Sequence, residues 1–416
     1  MAEFRLTKLF REFFESEKTG GLILVFCTIV SIFIANSALG EGWLHFWHTH
    51  PDLSFSPVPL DLSVEHWVND GLMAVFFLLV GLEIEREIYI GELADFRNAL
   101  LPILAAAGGM LIPAAFHFCF NHGSPEQAGF GIPMATDIAF ALGVLSLLGN
   151  KVPASVKIFL TALAIIDDLG AILVIAIFYT KGLALAWLAG AAAILLLLLV
   201  FNKLNINKLI FYILPGILLW YCMFRSGIHA TLSGVLLAFV IPFRKPGARA
   251  KGAAKTNGQA SVQVHNFAQT HNEESTNPSY RLQHFLHKPV AFGILPLFAL
   301  ANTGILFSAG WPQSLLSGNS LGIGIGLVLG KPVGILLCCW LAIRAGWCRL
   351  PEGMSWSHLL GTGLLAGIGF TMSIFITNLA FSDAGHIQSS KIAILVASLV
   401  ASCLGFACLS RASRAQ

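Results

Sequence analysis

Two adjacent aspartates, Asp167 and Asp168, stand in an otherwise apolar run, after Ala162-Leu163-Ala164-Ile165-Ile166 and before Leu169-Gly170-Ala171-Ile172. Consecutive residues on a helix point about 100° apart. One carboxylate can therefore line an aqueous cavity while the other meets a neighbouring helix, and the two need not share a role. Carboxylate oxygens suit protons and small hard cations such as Na⁺ or Li⁺. A proton and a cation that exclude each other at one carboxylate are coupled without any covalent step. Ionised groups are costly in an apolar run, and a second acid adds repulsion. The pair therefore reads as an ion-binding centre rather than a packing feature.

Six ionisable side chains fall inside apolar runs: Asp70, Glu83, Asp137, Asp167, Asp168 and Lys331. Asp70 and Glu83 lie towards the two ends of one run, where a solvated structural role competes with function. Lys331, in Leu329-Gly330-Lys331-Pro332-Val333-Gly334, sits mid-run and reads as the counter-charge rather than a snorkelling lysine. Asp137 follows Gly131-Ile132-Pro133-Met134-Ala135-Thr136, where Gly131 and Pro133 should interrupt the helix and leave backbone groups unpaired. Ala366-Gly367-Ile368-Gly369-Phe370-Thr371-Met372-Ser373 has the same character in the corresponding run of the second half. Paired broken segments point to an inverted-repeat transporter whose site lies where they cross. Asp137 would then offset the helix N-termini meeting there, and Lys331 the C-termini.

The elements that must position these residues are membrane spans. The chain has 416 residues, of which 56% are hydrophobic and only 11% charged, and its mean hydropathy is +0.76. A soluble domain carries about a quarter charged residues. Apolar runs of about 20 residues recur and predict an all-α polytopic membrane protein, one bundle over 1–416. Twelve spans are expected, near 20–38, 66–84, 99–119, 129–148, 156–179, 183–201, 209–224, 227–243, 289–307, 320–343, 358–380 and 390–410. This alternation puts 21 of the 25 basic residues on one side and three (Lys181, Arg225, Lys391) on the other, with Lys331 mid-span, so both termini are expected in the cytoplasm. The run 20–38, preceded by Arg5, Lys8, Arg11 and Lys18, is too long for a signal peptide core and reads as a retained first helix. A net charge of +3 gives no reason to expect nucleic acid. The eight cysteines lack CxxC spacing and read as buried small hydrophobes rather than metal ligands.

Two stretches fall outside the spans. Residues 43–64, with alternation at Leu53, Phe55 and Val58, read either as an external hairpin or as an ordinary loop. Residues 244–288, rich in Ala, Gly, Asn, Gln and Ser, read as a flexible cytoplasmic linker.

Five motifs carry a resemblance: Asn69-Asp70-Gly71-Leu72-Met73-Ala74-Val75-Phe76-Phe77, Ala135-Thr136-Asp137-Ile138-Ala139-Phe140-Ala141-Leu142-Gly143, Ala164-Ile165-Ile166-Asp167-Asp168-Leu169-Gly170, Gly330-Lys331-Pro332 and Gly367-Ile368-Gly369-Phe370-Thr371-Met372-Ser373-Ile374-Phe375. Together, in order over about 10–409, the chain closely resembles the bacterial NhaA family of Na⁺/H⁺ antiporters. That family is itself a standing example of the inverted-repeat fold, so the symmetry carries no independent weight. The resemblance implies a twelve-helix inner-membrane protein with two crossed discontinuous helices, spans 4 and 11. It implies electrogenic exchange of cytoplasmic Na⁺ or Li⁺ for more than one incoming proton by alternating access, with no cofactor. By likeness Asp168 would be the principal cation ligand and Asp167 the alternating partner of Lys331, with Thr136 and Asp137 at the site or its helix ends. Activation at alkaline pH is implied, with Glu83 at the funnel mouth and His229 among the implicated positions; a lone histidine is equally a structural residue. Likeness of 43–64 to the family's dimerising hairpin implies a homodimer in the lipid membrane.

The chain departs from the family pattern at Gln283, where a glutamate is expected, and this alters the expected pH response; Glu273, Glu274 and His271 could substitute. Glu85 replaces a basic residue and is expected to make the funnel more acidic and favour cation capture. An intramembrane aspartyl protease would take its aspartates from two helices, and no Gly-X-Gly-Asp sequence occurs here. A cation channel, or an antiporter preferring K⁺, differs by cavity geometry that spacing does not reveal.

Overall fold

The helices begin and end where the chain supplies caps and breakers. The computed structural model describes residues 8–52, 60–180, 182–243, 277–307 and 310–414. Among the described residues regular structure is helical, and the extended pairing is one isolated antiparallel bridge between Asp52 and Asp61. The main helices are α1 (Lys8–Ala35), α2 (Gly40–His48), α3 (Val64–Tyr89), α4 (Phe96–Phe120), α5 (Ile138–Leu147), α6 (Ala154–Phe178), α7 (Leu185–Lys203), α8 (Ile210–Ser226), α9 (Leu232–Val240), α10 (Pro278–Asn302), α11 (Gly318–Arg344), α12 (Trp356–Ala366), α13 (Phe370–Ala380) and α14 (Ala384–Ala412). A tight 3-10 segment, Pro125–Met134, precedes α5. Asp137 caps α5 and Asp383 caps α14 through side-chain acceptance from the third backbone N–H, and Ser355 with His358 forms a capping box on α12.

Among the described residues seven helices are long and apolar enough to cross a membrane, and up to ten spans result if each bent pair counts as one. The bent pairs include Pro125–Met134 with α5, at 43°, and α12 with α13, at 45°. Breaks were expected at both places. Two expected spans are shorter than a bilayer crossing: 209–224 forms α8, of 17 residues, and 227–243 contains α9, of only nine. Nine residues rise about 14 Å against a hydrocarbon core of about 30 Å. The cause is local: Gly227 ends α8 at φ 86°, and the chain reaches Leu232 before helix resumes.

The chain forms two compact units. One comprises Met1–Asn69, Asp95–Tyr179 and Ala291–Gln416. In it α4 and α11 approach backbone to backbone: a Cβ on Gly108 would lie 2.2 Å from the Gly334 oxygen, and one on Gly334 would lie 2.1 Å from the Gly108 oxygen. Neither position admits a side chain, and the contact sets the depth of Lys331 less than one turn before Gly334. The second unit comprises Asp70–Ala94 and Thr180–Val290. There α3 and α9 pack with similar closeness, Ala238 Cβ lying 2.6 Å from where a Cβ on Gly81 would stand.

Within the stretch read as a flexible linker, residues 244–276 lie outside the described residues, whereas Pro278–Pro289 is helix. Asn277 precedes a proline at the first helical position, a favoured helix start, and Leu282, Gln283 and Leu286 are buried on one face. Glu273, Glu274 and His271 lie outside the described residues, as do Leu53, Phe55 and Val58 of the 43–64 segment.

Candidate ion-binding site

Three side chains, from two helices and a helix break, meet inside the first unit. Asp167 comes from the middle of α6, Lys331 from α11, and Thr136 from the break between Pro125–Met134 and α5; all three are fully buried, and Asp168 is 2% exposed. Lys331 Nζ donates to Asp167 Oδ2 at 2.9 Å and to Thr136 Oγ1. Thr136 Oγ1 lies 2.7 Å from Asp167 Oδ2 and 2.9 Å from the Ala366 carbonyl oxygen. Its single proton can serve one of these acceptors at a time, so the hydroxyl is a two-way contact. Asp167 Oδ1 is buried without a hydrogen-bond partner among the described residues. Asp168, next on the helix, acts on Lys331 through charge.

The second feature is the joint between the two breaks. Asp137 N donates to the Ile368 carbonyl at 2.6 Å. Its Oδ1 accepts from Phe140 N at 3.0 Å, in the first turn of α5. Its Oδ2 accepts from Thr371 N at 3.0 Å, in the first turn of α13, and from Thr371 Oγ1. One carboxylate thus satisfies orphan N–H groups of two helix starts, both the positive ends of helix dipoles. Ser373 Oγ donates to the Ile132 carbonyl at 2.7 Å, and Tyr179 hydroxyl donates to the Ala128 carbonyl and accepts from Gly131 N. These bonds supply partners for backbone groups in a segment where Pro133 offers no N–H.

The structure brings Asp167, Asp168, Lys331, Thr136 and Asp137 into this unit. Asp70, Glu83, His229 and Gln283 belong to the second. There the Trp220 indole N–H donates to the Asp70 carbonyl at 2.9 Å, and Asp70, Glu83 and His229 are each half-buried. Gln283 is buried, with its amide within reach of the Glu83 carboxylate. Glu85 does not face solvent: it is 5% exposed and accepts from Ser279 Oγ at 2.9 Å. The expected gain in acidity at a funnel mouth is therefore absent at this residue, because a carboxylate turned into the unit and already hydrogen-bonded offers little field to ions in water.

Sequence reasoning left Tyr179, Ser373 and the Ala366 and Ile368 carbonyls unassigned. Thr371 and Ser373 carried a signal, as hydroxyls inside the second glycine-rich break. Tyr179 carried none, being distant in sequence from the segment it braces.

The model of the family described as Na⁺/H⁺ antiporter 1 matches residues 11–409. The chain belongs to that family. It is 55% identical over 408 residues to a Na⁺/H⁺ antiporter NhaA of Dechloromonas aromatica, covering 98% of this chain and 96% of the relative. It is 53% identical over 402 residues to Na⁺/H⁺ antiporter NhaA 1 of Flavobacterium johnsoniae, with 97% and 96% coverage. A Cytophaga hutchinsonii NhaA is 51% identical over 401 residues, with 96% and 95% coverage. Relatives in the Na⁺/H⁺ antiporter 1 family are transporters, not enzymes, and with its apolar helices the chain is a bacterial membrane protein.

Proposed function

We propose that this chain extrudes cytoplasmic Na⁺, and Li⁺, in exchange for more than one incoming proton across the bacterial inner membrane. The observation that carries the reading is the fully buried Lys331–Asp167 pair, set beside Asp168 and the joint of two interrupted helices. Asp168 is the principal cation ligand. Asp167 holds Lys331 in the cation-free state and turns to the cation when it arrives, its Oδ1 supplying a further oxygen. Thr136 hydroxyl, released from Asp167, then donates to the Ala366 carbonyl. Two carboxylates and an amine give more sites for protons than for the single cation, the basis of electrogenic exchange. Twelve spans, the short helices α8 and α9 among them, with cytoplasmic termini, and breaks that cross near the bilayer midplane, give alternating access about a fixed site. Glu83, Gln283, His229 and Asp70 serve entry and pH response. The 43–64 segment, whose Asp52–Asp61 bridge is compatible with a hairpin, contributes to a homodimer in the lipid.

The test is cation-driven proton movement in everted membrane vesicles, with Na⁺, Li⁺ and K⁺ compared for the parent and for Asp168→Asn. Saturable Na⁺ and Li⁺ responses lost in the variant support the reading. Exchange unchanged in Asp168→Asn refutes the site, a K⁺ response of equal size refutes the selectivity, and non-saturable flux without proton movement would mean a channel.

A further inference from the structure

The C-terminal end of α4 holds a buried histidine that the site does not use. His117 is 0% exposed, and its protonation pattern can be read from the bonds around it. Ser390 Oγ donates its single proton to the His386 carbonyl at 2.7 Å, so towards Asn319 Nδ2, also at 2.7 Å, it is an acceptor. That fixes the Asn319 amide with Oδ1 facing His117 Nε2, at 3.1 Å. Asn121 Nδ2 has its two protons on the His117 and Gly318 carbonyls, at 2.9 and 3.2 Å, and spares none for the ring. Nε2 therefore carries the N–H, and Nδ1 presents a bare lone pair. This Nδ1 is buried and has no hydrogen-bond partner among the described residues.

The surroundings supply a counter-charge that is itself partly exposed. The carboxylate whose charge acts on His117 is Glu126, on the Pro125–Met134 segment. Glu126 Oε1 is 3.1 Å from His386 Nε2, their side chains being 25% and 36% exposed, and His386 Nδ1 lies 3.8 Å from Asp383 Oδ2. On α11 the ring meets neutral groups: Asn319, and Gly322, where a Cβ would stand 3.0 Å from His117 Cδ2. On the 3-10 segment, a Cβ on Gly129 would stand 3.1 Å from His117 Cε1, so the segment's backbone lies against the imidazole. That same segment ends at Met134, two residues before Thr136.

We propose that His117 is a second proton-binding residue of this chain, taking H⁺ on Nδ1 by way of the partly exposed Glu126–His386 pair. Proton uptake converts an acceptor without a donor into a charged donor, and the anion it draws is Glu126. Glu126 then leaves His386 for His117, and the Pro125–Met134 segment that bears it reseats on α4. Through the two residues that follow, proton occupancy at His117 sets the position of Thr136 against Asp167. This last link rests on the transport reading; proton binding itself does not.

Two readouts separate them. In the full chain in detergent micelles with ¹⁵N-labelled imidazoles, His117→Gln and His386→Gln assign the two resonances among 13 histidines. His117 is expected as the Nε2–H tautomer at high pH and as imidazolium on acidification, with a midpoint that moves in Glu126→Gln. A neutral form protonated on Nδ1, a ring that stays neutral down to the lowest pH at which the protein remains folded, or a midpoint indifferent to Glu126→Gln would overturn the proposal. If His117→Gln fails to fold, the resonance moved by Glu126→Gln and still present in His386→Gln identifies the ring. In vesicles, His117→Gln should keep its maximal Na⁺-driven rate within about twofold while its pH profile moves by about half a unit or more. An unmoved profile overturns the link to Thr136. A parent without Na⁺/H⁺ exchange would sink the transport reading, and the resonance would still decide proton binding.

Discussion

Lys331 Nζ and Asp167 Oδ2 are 2.9 Å apart with both side chains wholly out of solvent, and Thr136 hydroxyl touches both. A buried ion pair is a poor source of stability but costly to break on one side, because the remaining charge has no solvent to turn to. Such a contact suits an element that must exchange partners: each member is held while the other is present and becomes unstable alone.

Lys331→Ala and Asp167→Asn should each lower stability by about 3–5 kcal/mol, and the double variant should recover part of that loss. Thermal melting in detergent, followed by tryptophan fluorescence, measures the coupling. Strictly additive losses would show that the two charges do not stabilise each other. Na⁺ binding by calorimetry should survive in folded Lys331→Ala, with altered pH dependence, since the proposed role of the lysine is counter-charge and not ligand.

Asp137→Ala should destabilise by about 2–4 kcal/mol, because Phe140 N and Thr371 N both lose their side-chain acceptor at a helix start. Thr371→Val removes only the hydroxyl bond and should cost about 1 kcal/mol. Equal melting temperatures for the two variants would contradict the shared-cap role of Asp137.

A cation and protons competing for one set of carboxylates impose a sign on the pH dependence. In the proposed exchange Na⁺ binds the deprotonated site and releases protons, so the apparent KM for Na⁺ should rise as pH falls, by about tenfold per unit for each proton released where the site is mostly protonated. Initial rates of Na⁺-driven alkalinisation at a series of pH values supply the curve. A KM that is flat, or falls towards acid, would rule out direct competition.

Gly334→Ala places a methyl about 2 Å from the Gly108 oxygen, a distance that only separation of α4 from α11 can relieve. The variant should lose at least about 1–3 kcal/mol in the same melting assay and fall in exchange rate, since Lys331 is carried on α11. Gly324→Ala, at a position with no atom near its Cβ, is the control and should behave as the parent. A parent-like Gly334→Ala would mean that the close approach does not set the depth of the lysine.

Much of the site was legible because membrane physics leaves few excuses for an ionised residue in an apolar run. Asp167, Asp168, Lys331 and Asp137 stood out for that reason alone, and glycine marked the two breaks, with proline at the first only. Span lengths were less legible. The apolar run 227–243 holds a nine-residue helix, because hydropathy records what lipid tolerates and not where the backbone turns at Gly227. Glu85 was misplaced because helical spacing gives an angle around the axis but not the neighbour met there, which is Ser279 of a distant segment.

Composition and pattern determined the solvent, the helical class, the acidic pair and the places where helices break, since each follows from the cost of placing particular groups in hydrocarbon. Tertiary structure decided which carboxylate Lys331 grips, that one aspartate caps two helix starts, and that His117 presents a bare nitrogen. Those depend on contacts between residues up to 234 positions apart, and hydrogen-bond direction and burial are set only when such segments meet.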